Sequence, residues 1–231
     1  MNKRIGIICA MQKEAEGIIA SMDNVSVERI SGIDFNVGRI GSCDCVVAIC
    51  GIGKVFASLC AQTMILKYSP SLIINSGVAG GLSPKLSIGD IAVATSLVQH
   101  DMDTSALGDP KGLISGINII ELPCDKSTAE LLTGCANEEG IRTVSGVIAS
   151  GDRFICEDHD KAFIRDTFGA VACEMEGAAV GQVCYVNNVP CCVMRAISDG
   201  GDDNAKMDYP TFAKMAAEQA VKVILRFLNK I

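Results

Sequence analysis

The sequence lacks most features that would direct it to a membrane, a nucleic acid or a metal. Tryptophan is absent, aromatic residues make up only 4% of the chain, and there are two histidines. No apolar run reaches the ~20 residues needed to span a bilayer. With 27 acidic against 20 basic residues and no basic run, binding along nucleic-acid phosphates is not expected. His100, followed by Asp101 and Asp103, offers too few ligands to predict a metal site.

Twelve cysteines contrast with these absences, yet they form neither a metal-binding nor a disulfide pattern. No Cys-x-x-Cys pair occurs, and many of the thiols lie inside apolar runs. The basic start Met1–Ile5 is followed by the polar residues Gln12 to Glu14 too early for the apolar segment of an export signal. We therefore expect a cytoplasmic protein whose reduced thiols pack as small hydrophobic side chains.

Strand-like and helix-like segments alternate along the whole chain. The predicted strands are Arg4–Ala10, Val25–Ile30, Phe35–Ile40, Cys45–Cys50, Leu72–Asn75, Ile88–Val98, Thr143–Ala149 and Val189–Ser198. The predicted helices are Gln12–Ser21, Gly53–Lys67, Lys126–Glu139, Asp158–Thr167, Glu174–Asn187 and Tyr209–Leu228. A glycine-rich turn is expected after Asn75, and residues 101–118 are expected to form a loop. No repeat or linker interrupts the pattern, which predicts one α/β domain over residues 1–231 with a parallel or mixed central sheet flanked by helices.

Ligands of open α/β sheets bind beyond the carboxyl ends of the strands. This sequence places five segments there, several of them rich in glycine: residues 11–14, 51–53, 78–81, 150–155 and 198–200. Gly51–Gly53 does not continue into a dinucleotide-binding fingerprint, because Phe56 stands where the third glycine belongs. Lys54 is followed by Val55, whereas a P-loop needs Ser or Thr. Taken alone, these glycines indicate ordinary tight turns.

Carboxylates at this edge are the candidates for acid and base chemistry. Glu14 lies at a helix start, where a solvated charge is also common. Glu176 precedes an apolar segment typical of a buried helix, so its carboxylate needs a partner or a ligand hydroxyl. Asp199 ends an apolar strand, where a raised pKa would suit proton donation, although capping a turn is the alternative. Glu174 and Glu176 would point ~200° apart on one helix, so only one of them is expected in a pocket. Arg195 is expected to pair with a carboxylate or contact a ligand.

Seven motifs, in order along the chain, resemble those of a known family. They are residues 10–14 (AMQKE), 51–55 (GIGKV), 75–82 (NSGVAGGL), 89–91 (GDI), 150–155 (SGDRFI), 174–176 (EME) and 195–199 (RAISD). From residue 3 to about 230 the chain resembles the bacterial 5′-methylthioadenosine/S-adenosylhomocysteine nucleosidases. The resemblance implies the purine nucleoside phosphorylase fold, a homodimer, no cofactor, and hydrolysis of the bond between adenine and ribose C1′ in methionine salvage.

The resemblance also implies roles for individual residues. Asp199 would protonate adenine N7, Glu14 would hold and deprotonate the attacking water, and Glu176 would accept hydrogen bonds from the ribose hydroxyls. The resemblance further implies that Met175 packs on the sugar, that Phe154 and Tyr209 are stacking rings, and that the Ile155 backbone contacts the edge of the base. Four residues are implied on the ribose and water side: Ile52, Val78, Ala79 and Gly80. Ser198 would lie beside Asp199, and Arg195 would orient the carboxylates.

Three positions depart from the family pattern. Val78 stands where several relatives carry Ser, and Thr104 replaces a common apolar residue. Leu107 occupies a position that is often Phe and that reaches across the dimer to cover the 5′-thioalkyl group. These departures bear on the choice between methylthio and homocysteinyl tails and leave the cleavage chemistry intact.

Other functions remain open at this stage. A phosphorylase of the same fold would need arginines around phosphate, and near the glycine-rich segments the sequence offers only Lys54, Arg153 and Arg195. Glu14 would repel the anion. A futalosine-type hydrolase of this fold and a noncatalytic nucleoside-binding protein are the remaining alternatives, the latter disfavoured by the joint presence of Glu14, Glu176 and Asp199.

Overall fold

The structure, a computed structural model, describes residues 4–200 and 205–231, with the side chains of residues 205–207 left out. Strands and helices alternate in the order β1 (Arg4–Cys9), α1 (Gln12–Ala20), β2 (Asp23–Ile30), β3 (Ile33–Ile40), β4 (Cys43–Ile49), α2 (Lys54–Tyr68), β5 (Leu72–Gly81), β6 (Ile91–Gln99), β7 (Leu122–Pro123), α3 (Lys126–Glu138), β8 (Thr143–Ser150), α4 (Asp158–Phe168), β9 (Ala170–Glu174), α5 (Gly177–Val186), β10 (Cys191–Asp199) and α6 (Ala205–Leu228). The predicted single α/β domain is confirmed; its start at Met1 lies outside the described residues.

The sheet contains parallel and antiparallel pairs, and five of its strands pair in a closed ring. β5 pairs with β10 and β9, β10 with β6, β6 with β8, and β8 with β9. β1 joins this ring through parallel pairing with β5 and continues to β4, β3 and β2. β4, β3 and β2 form an antiparallel meander. The carboxyl ends of β1, β5 and β10, which run parallel, therefore meet at one edge.

Alternating side chains of the central strands divide the core between two helical layers. Ile5 and Ile7 of β1 pack with buried residues of α1, α3 and α6, whereas Ile8 packs with α2 and α5. All twelve cysteines are free thiols, and ten of them are buried, as predicted for small hydrophobic side chains. Among the described residues, no helix is long and apolar enough to cross a membrane.

The glycine-rich turn predicted after Asn75 is wrong, because β5 continues as a strand to Gly81. Pairing on both sides holds this segment extended: β10 runs alongside it as far as Gly80, and β9 pairs with Gly80 and Gly81. These glycines do not form a bend. Because they lack a side chain, they leave space for the side chains of Glu14 and Asp199. A Cβ at Gly77 would lie 2.7 Å from Glu14 Oε1, and one at Gly80 would lie 2.9 Å from Asp199 Oδ1.

The helix predicted over Glu174–Asn187 is also wrong at its start. Residues 170–174 form β9, which pairs with β8 and β5, and α5 begins only at Gly177. Glu174 therefore ends a strand, and Glu176 stands at the residue before the first turn of α5. The expectation that only one of these carboxylates enters a pocket depended on a shared helix and is wrong as well, as the site shows.

Candidate active site

A cavity of about 520 Å³ opens beyond the carboxyl ends of β1, β5, β9 and β10. It is lined by Ala10, Met11, Glu14, Ile52, Val78, Ala79, Gly80, Phe154, Cys173, Glu174, Met175, Glu176, Ser198, Asp199, Tyr209 and Pro210. Every site residue predicted from the sequence lies here except Ile155, Arg195 and Leu107. The cavity therefore forms where the strand-end rule places it.

Glu14 is fixed inside the cavity wall by backbone donors from two strand ends. Its Oε2 accepts hydrogen bonds from the amides of Ala10 at 3.0 Å and Met11 at 2.9 Å, and its Oε1 accepts one from Val78 at 3.0 Å. Burial raises the pKa of Glu14, while Arg195 and these amides act to lower it. The result is an oriented carboxylate that is more basic than a surface glutamate.

Arg195 lies behind the cavity and does not line it. Its guanidinium donates to a Glu174 carboxylate oxygen and, at 2.5 Å, to Asn75 Oδ1, and it lies 3.9 Å from Glu176 Oε2. Burial acts to lower its pKa, but the surrounding glutamates raise it, so the cation persists. From this position Arg195 can orient the carboxylates, but it does not contact a ligand in the cavity directly.

Glu174 is a site residue that sequence reasoning missed. Its two oxygens accept hydrogen bonds from the Ser150 hydroxyl, the Arg195 guanidinium, and the amides of Glu176 at 3.0 Å and Gly177 at 2.8 Å. The Ser150 hydroxyl in turn accepts from the Ala178 amide at 2.7 Å. Glu174 thus fixes the start of α5 and the arginine, and its oxygens are committed to protein donors.

Glu176 points into the same cavity with one oxygen held. Its Oε1 accepts from the amide of Gly53 at 2.8 Å, where φ is +102°, a conformation that favours glycine. Asp152 holds this turn by accepting from the Lys54 amide at 2.8 Å. Burial, and then repulsion from Glu174, raises the pKa of Glu176 to about 7. Its charge therefore changes close to neutral pH.

Asp199 is buried at the end of β10, which pairs with β5. Glu14 lies at the start of α1, which follows β1, another strand that pairs with β5. Asp199 Oδ2 accepts from the Ser198 hydroxyl at 2.9 Å. Burial raises the pKa of the neighbouring Cys173 thiol to about 12, so this cavity residue is neutral. Cys173 was not predicted as a lining residue; its position directly before Glu174 was the available signal.

Two aromatic rings stand at the mouth of the cavity. Phe154, 46% exposed, meets Tyr209 edge-on with ring centroids 5.5 Å apart. Ile155 lines a small adjoining space together with Phe154, Cys173 and Asp199. Leu107 is 84% exposed and does not touch the cavity of its own chain. The described residues contain no group of three or more His, Cys, Asp or Glu that could hold a metal ion.

Comparisons with known proteins agree with the fold. A family model described as the phosphorylase superfamily matches residues 4–229. The chain is 34% identical to a 5′-methylthioadenosine/S-adenosylhomocysteine nucleosidase of Shewanella halifaxensis, over 99% of this chain and 100% of that one. It is 35% identical to an aminodeoxyfutalosine nucleosidase of Campylobacter jejuni, over 99% of each. A Helicobacter pylori 5′-methylthioadenosine/S-adenosylhomocysteine nucleosidase with butyl-thio-DADMe-Immucillin-A superposes with a TM-score of 0.95, at 38% identity and over 99% of each chain.

Proposed function

The chain belongs to the phosphorylase superfamily, and we propose that it is a nucleosidase that hydrolyses the N-glycosidic bond of 5′-methylthioadenosine and S-adenosylhomocysteine. The products are adenine and the corresponding 5-thioribose. The observation that carries the proposal is that Glu14, Glu176 and Asp199 line one buried cavity, each with different hydrogen-bond partners. Relatives with this activity match nearly the whole chain.

The chemistry divides among the three carboxyl groups. Glycosidic cleavage passes through an oxocarbenium-like transition state, so the leaving base needs a proton and the sugar needs a water on its other face. In the proposed mechanism Asp199 protonates N7 of adenine, which then leaves as a neutral base. Glu14 accepts a proton from the attacking water. Glu176 accepts hydrogen bonds from the 2′ and 3′ hydroxyls through the oxygen that Gly53 leaves free.

The apolar lining supports this orientation of the nucleoside. Met175 supplies the surface for the sugar, and Phe154 supplies the ring for adenine, whose edge the Ile155 backbone reads. Ile52 and the wall formed by residues 78–80 enclose the ribose and the water. Excluding bulk water strengthens each polar interaction in the cavity.

Hydrolysis is favoured over phosphorolysis by the charges around the cavity. No Lys or Arg among the described residues lines it, whereas four carboxylates do. Arg195 is already engaged by Glu174 behind the wall. A phosphate ion would therefore meet Glu14 without a compensating cation.

Adenine release should be independent of phosphate. We expect the purified protein to release adenine from 5′-methylthioadenosine and from S-adenosylhomocysteine at the same rate in phosphate-free buffer and with phosphate added, as followed by chromatography. Phosphate-dependent formation of a sugar phosphate would make the protein a phosphorylase. Binding of both nucleosides with no adenine release would instead support the noncatalytic alternative.

The rate should fall as pH decreases through about 7, the pKa of Glu176. The ionised carboxylate accepts the ribose hydrogen bonds, and because its pKa is raised, protonation removes this acceptor at a higher pH than in an ordinary glutamate. The measurement is kcat/KM for 5′-methylthioadenosine against pH. A Glu176→Gln variant should lose much of its affinity and the part of the acid limb near 7 that belongs to Glu176, and should keep the limb that protonation of the Glu14 base produces. An acid limb near the ordinary glutamate pKa of ~4.3 would contradict the assignment.

The proposal includes a homodimer. Side chains that are apolar and exposed cluster on α2, namely Val55, Phe56, Leu59 and Leu66. They supply a surface that a second copy can cover. Leu107 of the partner subunit would then cover the 5′ substituent. We also place the enzyme in the cytoplasm, in methionine salvage and recycling of the methyl cycle; twelve unpaired thiols suit a reducing compartment.

A further inference from the structure

An ammonium group lies at the mouth of the cavity, between α1 and α6. Lys13 stands between the lining residues Met11 and Glu14, and its Nζ lies 3.4 Å from the hydroxyl of Tyr209 and 4.7 Å from the centroid of that ring. The Tyr209 hydroxyl donates to Met11 Sδ at 3.2 Å. The lysine side chain therefore ends at the corner that Met11 and Tyr209 form.

This cation has no acidic partner within 4.0 Å among residues 4–200 and 208–231. Other cations near the site are engaged: Lys54 pairs with Asp101 at 2.6 Å and Arg153 with Asp160 at 2.7 Å. The cavity lining itself is strongly acidic and disfavours an anionic ligand group. The Lys13 ammonium at the mouth weakens that repulsion for a group that lies next to it.

The proposed orientation of the nucleoside brings its 5′ substituent to this corner. Adenine occupies the Asp199 and Phe154 side, and the ribose hydroxyls face Glu176. The apolar surface that remains for a thioether chain is that of Met11 and Tyr209. A short thioalkyl group ends on this surface, whereas a longer one extends past Tyr209 toward the Lys13 ammonium.

We propose that Lys13 is a specificity-determining residue that recognises a carboxylate at the end of the 5′ substituent, so that anionic tails are preferred over neutral tails of equal length. The inference rests on the proposed function and deepens it. An alternative role for Lys13 is to hold Tyr209 through the ring contact alone. If Lys13 only held Tyr209, its replacement would change kcat/KM equally for acidic and neutral tails. An experiment that compares the two kinds of tail therefore distinguishes this role from carboxylate recognition.

The test compares two adenosine thioethers of matched shape. One carries a 3-carboxypropyl group on the 5′ sulfur, and the other carries its primary amide. The wild-type ratio of kcat/KM for acid over amide should be about fivefold, the upper range for a solvent-exposed ion pair. Lys13→Met should bring the ratio to about one and Lys13→Glu below one, while Lys13→Arg keeps it near wild type.

Two further measurements keep the test decisive. Tyr209→Phe, which removes the hydroxyl and keeps the ring, should preserve the acid preference. Raising NaCl from ~0.05 to ~0.5 M should move the wild-type ratio toward one, because salt screens exposed charges.

Equal ratios in wild type and Lys13→Met, or no salt dependence, would overturn the inference while the nucleosidase proposal stands. Failure to release adenine from both thioethers and from 5′-methylthioadenosine would overturn the proposed function and this inference with it.

Discussion

Replacing Asp199 by asparagine is expected to lower kcat for adenine release from 5′-methylthioadenosine by about 10²- to 10⁴-fold, the range for loss of a general acid. Adenine is a poor leaving group as an anion, and an amide cannot supply the proton to N7. Asparagine has nearly the same shape, and its carbonyl oxygen can still accept from the Ser198 hydroxyl, which lies 2.9 Å from Asp199 Oδ2. The cavity should therefore keep its form and continue to bind the nucleoside.

The variant separates chemistry from binding when both are measured. Isothermal titration should show that Asp199→Asn still binds 5′-methylthioadenosine, while single-turnover kinetics show the loss of cleavage. Ser198→Ala is the matched control, because it removes one hydrogen bond to the same carboxylate and leaves the acid in place. A net hydrogen bond contributes ~1 kcal/mol, so this control should lose less than about tenfold. Near-normal turnover by Asp199→Asn would mean that another group donates the proton.

The position of Asp199 and Glu14 at one edge could be predicted from the sequence for a general reason. Each follows an apolar strand, and parallel strands end at the same edge of a sheet. The pairing of β5 with both β1 and β10 realises this arrangement. The apolar pattern of the sequence is enough to predict this edge, because the prediction requires only that the strands and their direction be recognised.

The role of Glu174 could not be predicted in the same way, because its partners are distant in the sequence. Ser150 lies 24 positions away and Arg195 lies 21 positions away. The segment around it is apolar with short side chains and suits a helix or a strand equally well. Pairing with β8 and β5 makes it a strand, and that pairing brings Glu174 and Glu176 into one cavity.

The glycines at residues 77, 80 and 81 show the opposite error. Glycine clusters predict turns when only local conformation is considered. In β5 the same residues remain extended, because β10 pairs with residues 77 and 80 and β9 pairs with residues 80 and 81. The missing side chains at residues 77 and 80 admit the carboxylates of Glu14 and Asp199, a requirement that only the folded arrangement shows.

The second large effect is expected at Glu14, whose replacement by glutamine should reduce kcat by about 10²- to 10⁴-fold, because the attacking water loses its base. The glutamate accepts three backbone hydrogen bonds with its two oxygens. Glutamine can satisfy the two amides at Ala10 and Met11 with its carbonyl, but its NH₂ group then faces the Val78 amide, which is also a donor. A buried donor without an acceptor costs ~1–3 kcal/mol, so the free energy of unfolding should fall as well.

The two losses at Glu14 can be measured independently. Urea unfolding gives the loss of stability, and kcat measured well below the unfolding transition gives the loss of catalysis in folded protein. Glu16→Gln, an exposed position on the same helix, is the control and should change the free energy of unfolding by less than ~0.5 kcal/mol. Because an amide does not repel anions, phosphate added to Glu14→Gln also tests the hydrolytic assignment. Restored cleavage with a sugar phosphate product would show that the repulsion by Glu14 alone excludes phosphorolysis, whereas kcat within tenfold of wild type in phosphate-free buffer would show that another group activates the water.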